Sequence, residues 1–424
     1  MNSPQRNPNR DNPSKMNPRF ETNTATRNQK GFIWRIIFLL STIIGVIALI
    51  VLLLTIVNDT FGYAAIQYKV PLSEIAPQGK SIEDITCAEA DVILQENLSK
   101  NRYRTLQNEK PILERSQTEC VKLLIFEIAK PVVKATWPLS ESITNEAEIR
   151  EFTAQKYPEA DLVFRKWLSK EFITSPQSDD PLQAGIKTAI LGSLWIILIV
   201  IVVAFPVGIS AAIYLEEYAA DNVINRVIRT NINNLAGVPS IIYGMLGLAF
   251  FVRVLEPITS GAIFGFSDPT TANGRTILSA GLTLSLLILP VIIINAQEAI
   301  KAVPNSLREA SYGLGATKWQ TIWFHVLPNA IPGILTGTIL SVSRAFGETA
   351  PLVVVGAATY ITFNPESIFS KFTTMPIQVY QWTARPQDAF RNIAAAAIIV
   401  LLILLLTINA TAIYLRNRYS RRLV

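Results

Sequence analysis

The sequence predicts an all-α integral membrane protein with six transmembrane helices and a mostly helical insert between the first two. Half of the 424 residues are hydrophobic and only 17% are charged. The charges avoid Ile36 to Val57, Thr188 to Leu215, Thr230 to Val252, Thr276 to Gln297 and Asn392 to Leu415. Each stretch is long enough to cross roughly 30 Å of hydrocarbon as a helix. A sixth segment, Val326 to about Tyr360, is apolar except for Arg344 and Glu348.

Residues 1–31 are rich in Asn, Pro and Arg and hold no Leu, Ile or Val. They cannot bury enough apolar surface to fold, and a disordered tail is expected there. The first span, 32–57, is too long for a signal-peptide core and is not followed by a small-residue cleavage pattern, so it is expected to stay as a helix. Residues 58–182 form the insert. Val121, Leu124, Ile125 and Ile128 share one helix face, and Trp167, Leu168 and Phe172 suggest another, so a mostly α-helical cap is expected. Helices two to six and their loops fill 183–415, and 416–424 is a basic tail.

Lys and Arg in short loops stay cytoplasmic, which sets the orientation. With the N-terminus inside, the cytoplasmic pieces hold sixteen of them and the short outer loops five. Both termini are therefore placed in the cytoplasm and the insert outside. The net charge of +6 then follows largely from topology and is no sign of nucleic-acid binding. Both cysteines, Cys87 and Cys120, fall in the insert. In an oxidising compartment they either pair, closing a loop worth about 3 to 4 kcal/mol on the chain-entropy estimate, or remain two buried thiols.

The loop 298–328 carries helix signals of its own. Pro304 stops the incoming helix, and Ser306 with Glu309 reads as a capping box opening a short helix. Gly313 and Gly315 suit its left-handed exit, and Thr317 suits the cap of a second short helix running toward Pro328. A helix-turn-helix outside the membrane is expected.

Within the membrane, Arg344 and Glu348 are four residues apart and would share a helix face. An Arg at the bilayer centre costs about 2.5 to 3.5 kcal/mol on insertion scales and usually faces a pathway or a partner charge. One reading is a structural ion pair. Arg preceding Glu is the poorer order for such a pair, which favours an Arg aimed at an anion pathway with Glu348 either orienting it or pairing with a partner subunit. Gly237-Val238-Pro239-Ser240, followed by Tyr243-Gly244, combines a helix break with hydroxyls inside an apolar span. Unwound backbone at that depth is tolerated where it is buried or lines a cavity, making Ser240 and Tyr243 candidate pathway residues.

Glu309-Ala310-Ser311, Gly315 and Leu327-Pro328 stand in the frame of the EAA loop, through which ABC importer permeases dock on their ATPase. One departure is His325, where an aliphatic residue is usual. Ala236-Gly237-Val238-Pro239-Ser240-Ile241-Ile242-Tyr243-Gly244, Ala212 to Tyr218, Asp180-Pro181 with Ala184-Gly185-Ile186, and Arg344-Ala345-Phe346-Gly347-Glu348-Thr349-Ala350-Pro351-Leu352 narrow the match. Residues 165 to 420 resemble the PstA-type permease subunits of phosphate-import ABC transporters.

The resemblance implies a type I importer permease fold, a PstC-type partner permease, a PstB-type ATPase dimer and an extracytoplasmic phosphate-binding protein. It places Arg344 and Glu348 on the translocation path and assigns ATPase coupling to Ser306, Glu309, Ala310, Ser311 and Gly315. Many relatives carry Arg-Thr-Thr where this chain has Ile294-Asn295-Ala296, so Asn295 offers a neutral donor in place of a second cation.

The residues themselves support an anion, and phosphate comes from the resemblance; sulfate or molybdate is the alternative. A reading from another class is a membrane-anchored sensor or enzyme working through 58–182. No Gly-x-x-x-x-Gly-Lys-Ser/Thr loop, His-Glu-x-x-His or Gly-x-Ser-x-Gly is present. Catalysis and bound cofactors are therefore not expected of this chain, ATP and Mg belonging to the partner ATPase.

Overall fold

A run of Ile, Leu and Val with no internal Pro carries helix α1 from Thr24 to Thr60. The computed structural model describes residues 24–75, 80–266, 274–357, 360–361 and 363–420. The tail expected over 1–31 lies outside the described residues up to residue 23, and from Thr24 the chain is helical rather than disordered. The chain divides into two units, Met1–Thr55 and Ile56–Val424. Among the described residues the first holds only residues 24–55 of α1.

Strand β1 (Phe61–Tyr68) follows α1 directly. Then come α2 (Leu72–Ile75), α3 (Cys87–Asn97), α4 (Lys100–Glu109), α5 (Gln117–Leu124) and β2 (Pro131–Thr136). Helices α6 (Leu139–Thr144) and α7 (Glu146–Lys156), strand β3 (Ala160–Lys166) and helix α8 (Lys170–Thr174) complete the insert. The strands form an antiparallel sheet in the order β2-β1-β3, with Ile66 opposite both Val133 and Asp161.

The insert is more helix than strand, and it also holds a three-stranded sheet that the helical reading did not expect. Strand β3 carries no period-2 signal, since Leu162, Val163 and Phe164 are consecutive apolar residues between Asp161 and Arg165. Ala64 and Ala65 of the central strand β1 are fully buried.

A disulfide joins Cys87 at the start of α3 to Cys120 of α5, with S–S 2.06 Å. Both helices open with capping boxes, Thr86 with Glu89 and Ser116 with Glu119. Cys120 is buried among Ile85, Leu94, Ile112 and Leu124.

The remaining helices are α9 (Lys187–Ile213), α10 (Val223–Ala236), α11 (Ser240–Gly247), α12 (Glu256–Thr259), α13 (Ile277–Lys301) and α14 (Asn305–Gly313). They are followed by α15 (Lys318–Thr321), α16 (Leu327–Gly347), α17 (Ala350–Val355), α18 (Met375–Thr383) and α19 (Asp388–Ser420). Among the described residues five helical stretches are long and apolar enough to cross a membrane, and a sixth arises if the bent pair α10 and α11 is counted as one.

The single span expected at Thr230 to Val252 is therefore corrected. Its two halves meet at 104°, because Pro239 has no N–H to give and sits in extended backbone, ψ 136. The expected span from Val326 to Tyr360 also changes. It begins in the loop at Lys318, passes through a π-turn at Ile322–Val326, and ends at Gly347.

Glycines set the helix register. A Cβ on Gly208 would come 2.6 Å from Ile292, and one on Gly281 would come 2.6 Å from Ile199, so α9 and α13 run parallel in close contact. Gly333 lies against Ala299 and Gly337 against Asn295, making α16 antiparallel to α13. The insert shares the core of these helices. Ile66, Trp167 and Phe172 cluster with Ile186, Trp382, Phe390 and Ile393. The Phe172 and Trp382 rings lie 5.9 Å apart.

Candidate functional site

Two helix breaks are each followed by a short restarted helix. The first is Gly237-Val238-Pro239, after which α11 restarts at Ser240. The second is Glu348-Thr349, after which α17 starts at Ala350. The restarted helices pack together: a Cβ on Gly244 would fall 2.6 Å from Pro351 Cα and 2.9 Å from its carbonyl oxygen. Glycine there permits backbone-to-backbone approach that a side chain would prevent.

Arg344 lies in the last turn of α16, and its Nε is 3.4 Å from Glu348 Oε1. Extending the register of Gly337 with Asn295 by seven residues sets Arg344 level with Ile288, near the middle of α13 and roughly 10 Å along the axis from Asn295. The expectation that Arg344 and Glu348 share a helix face is corrected. Glu348 is the C-cap, in extended backbone at ψ 126, and Pro351, early in the next helix, has no N–H with which to continue the ladder of α16. The pair is loose. The Arg344 side chain remains 52% exposed, against 18% for Glu348.

Ser240 is half-buried in the first turn of α11. Tyr243 is buried and donates its hydroxyl to the Leu235 carbonyl at 2.7 Å, bracing the break from behind. Asn295 is half-buried against Gly337. The Gly244 and Pro351 contact sets α11, which carries Ser240 and Tyr243, beside α17, and Asn295 on α13 lies about two turns from the level of Arg344.

In the loop, α14 begins at Asn305 with Pro304 as its N-cap, and no side chain caps it. The capping box expected at Ser306 and Glu309 is therefore corrected. Ser306 is already inside the helix, where it lacks the extended backbone a capping hydroxyl needs. Gly315 takes the left-handed conformation, φ +81. Gly313 ends α14 instead of leaving it.

Thr317 caps α15 in a capping box with Gln320. The second short helix does not stop near Pro328, since the π-turn runs it into α16. Ser311 and Thr321, both buried, meet hydroxyl to hydroxyl at 2.9 Å and lock the two short helices together. Glu309 and Ala310 are exposed, and Leu314 at the tip is 90% exposed.

Sequence reasoning missed the residue that anchors this loop. Arg308 is largely buried and contacts Glu217 at 2.8 Å and 3.1 Å. It also donates to the carbonyls of Val303 and Ile300 at 2.6 and 3.0 Å. Glu216-Glu217 ends one span and Arg308 opens the loop after another; their common end of the bundle is the signal that could have paired them. Around this brace Leu215, Ala296, Ile300, Val326 and Ala330 form one apolar cluster. Below it the Trp319 and Trp323 rings stack at 5.4 Å.

Residues 204–422 match the family described as binding-protein-dependent transport system inner membrane component. The probable ABC transporter permease protein YqgI of Bacillus subtilis (strain 168) is 34% identical over 216 residues, 50% of this chain and 67% of that protein. The phosphate transport system permease protein PstA 1 of Mycobacterium tuberculosis (strain CDC 1551 / Oshkosh) is 34% identical over 239 residues, 56% of this chain and 72% of that one. The phosphate transport system permease protein PstC of Pasteurella multocida (strain Pm70) is 36% identical over 201 residues, 45% and 62%. The chain belongs to the binding-protein-dependent transport system inner membrane component family, the non-catalytic membrane-spanning permease subunits of ABC transporters.

Proposed function

We propose that this chain is the permease subunit of an ATP-driven importer that carries inorganic phosphate into the cytoplasm. The observation that carries the reading is Arg344. It is a cation at mid-helix level, only loosely held by Glu348, beside one of two helix breaks whose restarted helices pack together. A buried-depth arginine without a tight counter-ion suits a passing oxyanion, and planar guanidinium suits phosphate geometry. The relatives named for phosphate transport favour phosphate over sulfate or molybdate.

On this reading both termini are cytoplasmic and 58–182 is extracytoplasmic, as the basic loops and the insert's disulfide both favour. Glu309, Ala310 and Leu314 form the exposed tip that docks on a PstB-type ATPase dimer, which uses the ATP and Mg. A PstC-type permease completes the membrane pair and an extracytoplasmic phosphate-binding protein delivers the anion. Vesicles reconstituted with the chain and its co-purified partners should accumulate labelled phosphate when ATP is supplied, with sulfate and molybdate as poor competitors. Competition by either anion at equal strength overturns the choice of phosphate.

A further inference from the structure

A cleft of about 700 Å³ opens where the insert's sheet meets the helix bundle. Its walls include Tyr68, Arg165, Lys166, Trp167, Ser169 and Gln183. Arg165, near the end of β3, lies over the Trp167 ring at 5.0 Å and donates one N–H to the Leu182 carbonyl at 3.0 Å. Its Nε is buried without a hydrogen-bond partner, and among the described residues no carboxylate lies within 4 Å of the guanidinium.

The cleft's own carboxylates each pair with another cation, although Glu171 also acts on Arg165 from a distance. Glu171 pairs with Lys122, Glu127 with Arg102 at 2.5 Å, and Glu119 with Lys110 at 3.1 Å. Asp180 acts on Arg165 from further off, with its Oδ1 accepting the Leu182 amide at 2.9 Å. Burial, opposed by Asp180 and Glu171, holds the Arg165 guanidinium below its ordinary range, and burial, opposed by the Leu182 amide and Arg165, pushes the Asp180 carboxyl up.

We propose that this cleft is a second anion site, in which a small tetrahedral oxyanion sits against Arg165 and accepts hydrogen bonds from the hydroxyls of Tyr68 and Ser169. The Ser169 oxygen already accepts from the Phe172 amide at 3.1 Å, which orients it and leaves its O–H to donate. Trp167 backs the guanidinium with an aromatic face and holds it in place. The inference rests on the oxyanion reading above and adds a waiting position, on the insert side of the helices, ahead of Arg344.

The test is equilibrium binding of radiolabelled inorganic phosphate to the full complex in nanodiscs, without binding protein or ATP. It is done in an Arg344→Gln background so that the pathway arginine does not contribute. Arg165→Gln should weaken binding roughly tenfold or more, and Arg165→Lys less, since Gln loses the charge-assisted contact and Lys keeps the charge. Tyr68→Phe removes one O–H and should give a smaller loss with an unchanged unfolding temperature, which keeps the test usable if Arg165→Gln fails to fold. Binding of sulfate or molybdate in place of phosphate, lost with Arg165→Gln, supports the cleft and overturns the phosphate assignment. Phosphate binding unaltered by Arg165→Gln and Tyr68→Phe, or no binding of any of the three anions, overturns the cleft and leaves the transport reading to be judged by uptake.

Discussion

Arg308 and Glu217, 91 residues apart in the chain, meet at 2.8 Å with their side chains only 14% and 7% exposed. The contact ties the short helix α14 to the end of the span that α9 begins. A push on α14 therefore reaches the bundle through a fixed strut instead of a slack loop. Breaking a buried pair leaves an unpaired charge, which costs about 3 to 5 kcal/mol. Glu217→Gln and Arg308→Met should each lower the unfolding temperature of the purified complex and its substrate-stimulated ATP hydrolysis. The double variant should recover part of the stability. Single variants that match wild type in both measurements would remove the strut from the account.

Gly315 has φ +81 and open space around its missing Cβ. Substitution there is opposed by backbone conformation and not by crowding, at roughly 1 to 2 kcal/mol for an ordinary residue. Gly315→Val should insert in the membrane and still receive the binding protein, yet show little stimulated ATP hydrolysis. Gly315→Asn, which tolerates the left-handed region, should be milder. Equal activity of the Val and wild-type complexes would sink the docking role of the loop.

Gly244 makes the opposite argument, because its constraint is spatial. A Cβ would sit 2.6 Å from Pro351 Cα, and the clash falls on backbone that cannot swing aside. Gly244→Val should separate the two restarted helices at a cost of about 1 to 3 kcal/mol. Phosphate uptake should fall while the complex still co-purifies with its ATPase. Uptake at the wild-type rate would mean that the contact between α11 and α17 does not shape the path.

Acid should loosen the insert. A hydrogen bond from Lys80, with further ones from Thr86, lowers the Glu89 pKa from 4.5 to about 2. The Ser116 amide, then Lys110, holds Glu119 below its ordinary value. A depressed folded-state value means stability fully present above about pH 4.5 and lost as pH falls toward 2. Proteolysis of the insert should therefore rise over that window in wild type, and Glu89→Gln should flatten part of the rise. Reduction of the Cys87 to Cys120 bond should lower the stability of the insert by about 3 to 4 kcal/mol at neutral pH. A proteolysis profile with no change between pH 5 and 2.5 would count against the capping boxes as its supports.

The spans and the loop were legible because their signals are local. Charge-free runs of membrane length, a Thr317 cap and a Gly315 exit each lie within a few residues of what they specify. Pro239 also announced its break, and the two halves meet there at 104°. Three things were not legible. The insert's sheet pairs Phe61 with Lys166 across the whole segment, and such pairing has no signature in any single window. Ser306 looked like a cap because its spacing to Glu309 was right, but Pro304 in extended backbone had already taken that position. The Arg308 and Glu217 contact joins helix α14 to the end of a distant span, a proximity that only the folded bundle creates.

The measurement that tests the central claim most directly is ATP-dependent uptake of labelled phosphate by vesicles holding the chain with its partners, comparing wild type with Arg344→Gln. Both complexes are first shown to be assembled by co-purification of the ATPase. Loss of a charge-assisted contact at mid-membrane depth is expected to reduce uptake by about tenfold or more, with Glu348→Gln less affected because it acts through Arg344. Uptake by an assembled Arg344→Gln complex at the wild-type rate would contradict the account and return Arg344 and Glu348 to a structural ion pair.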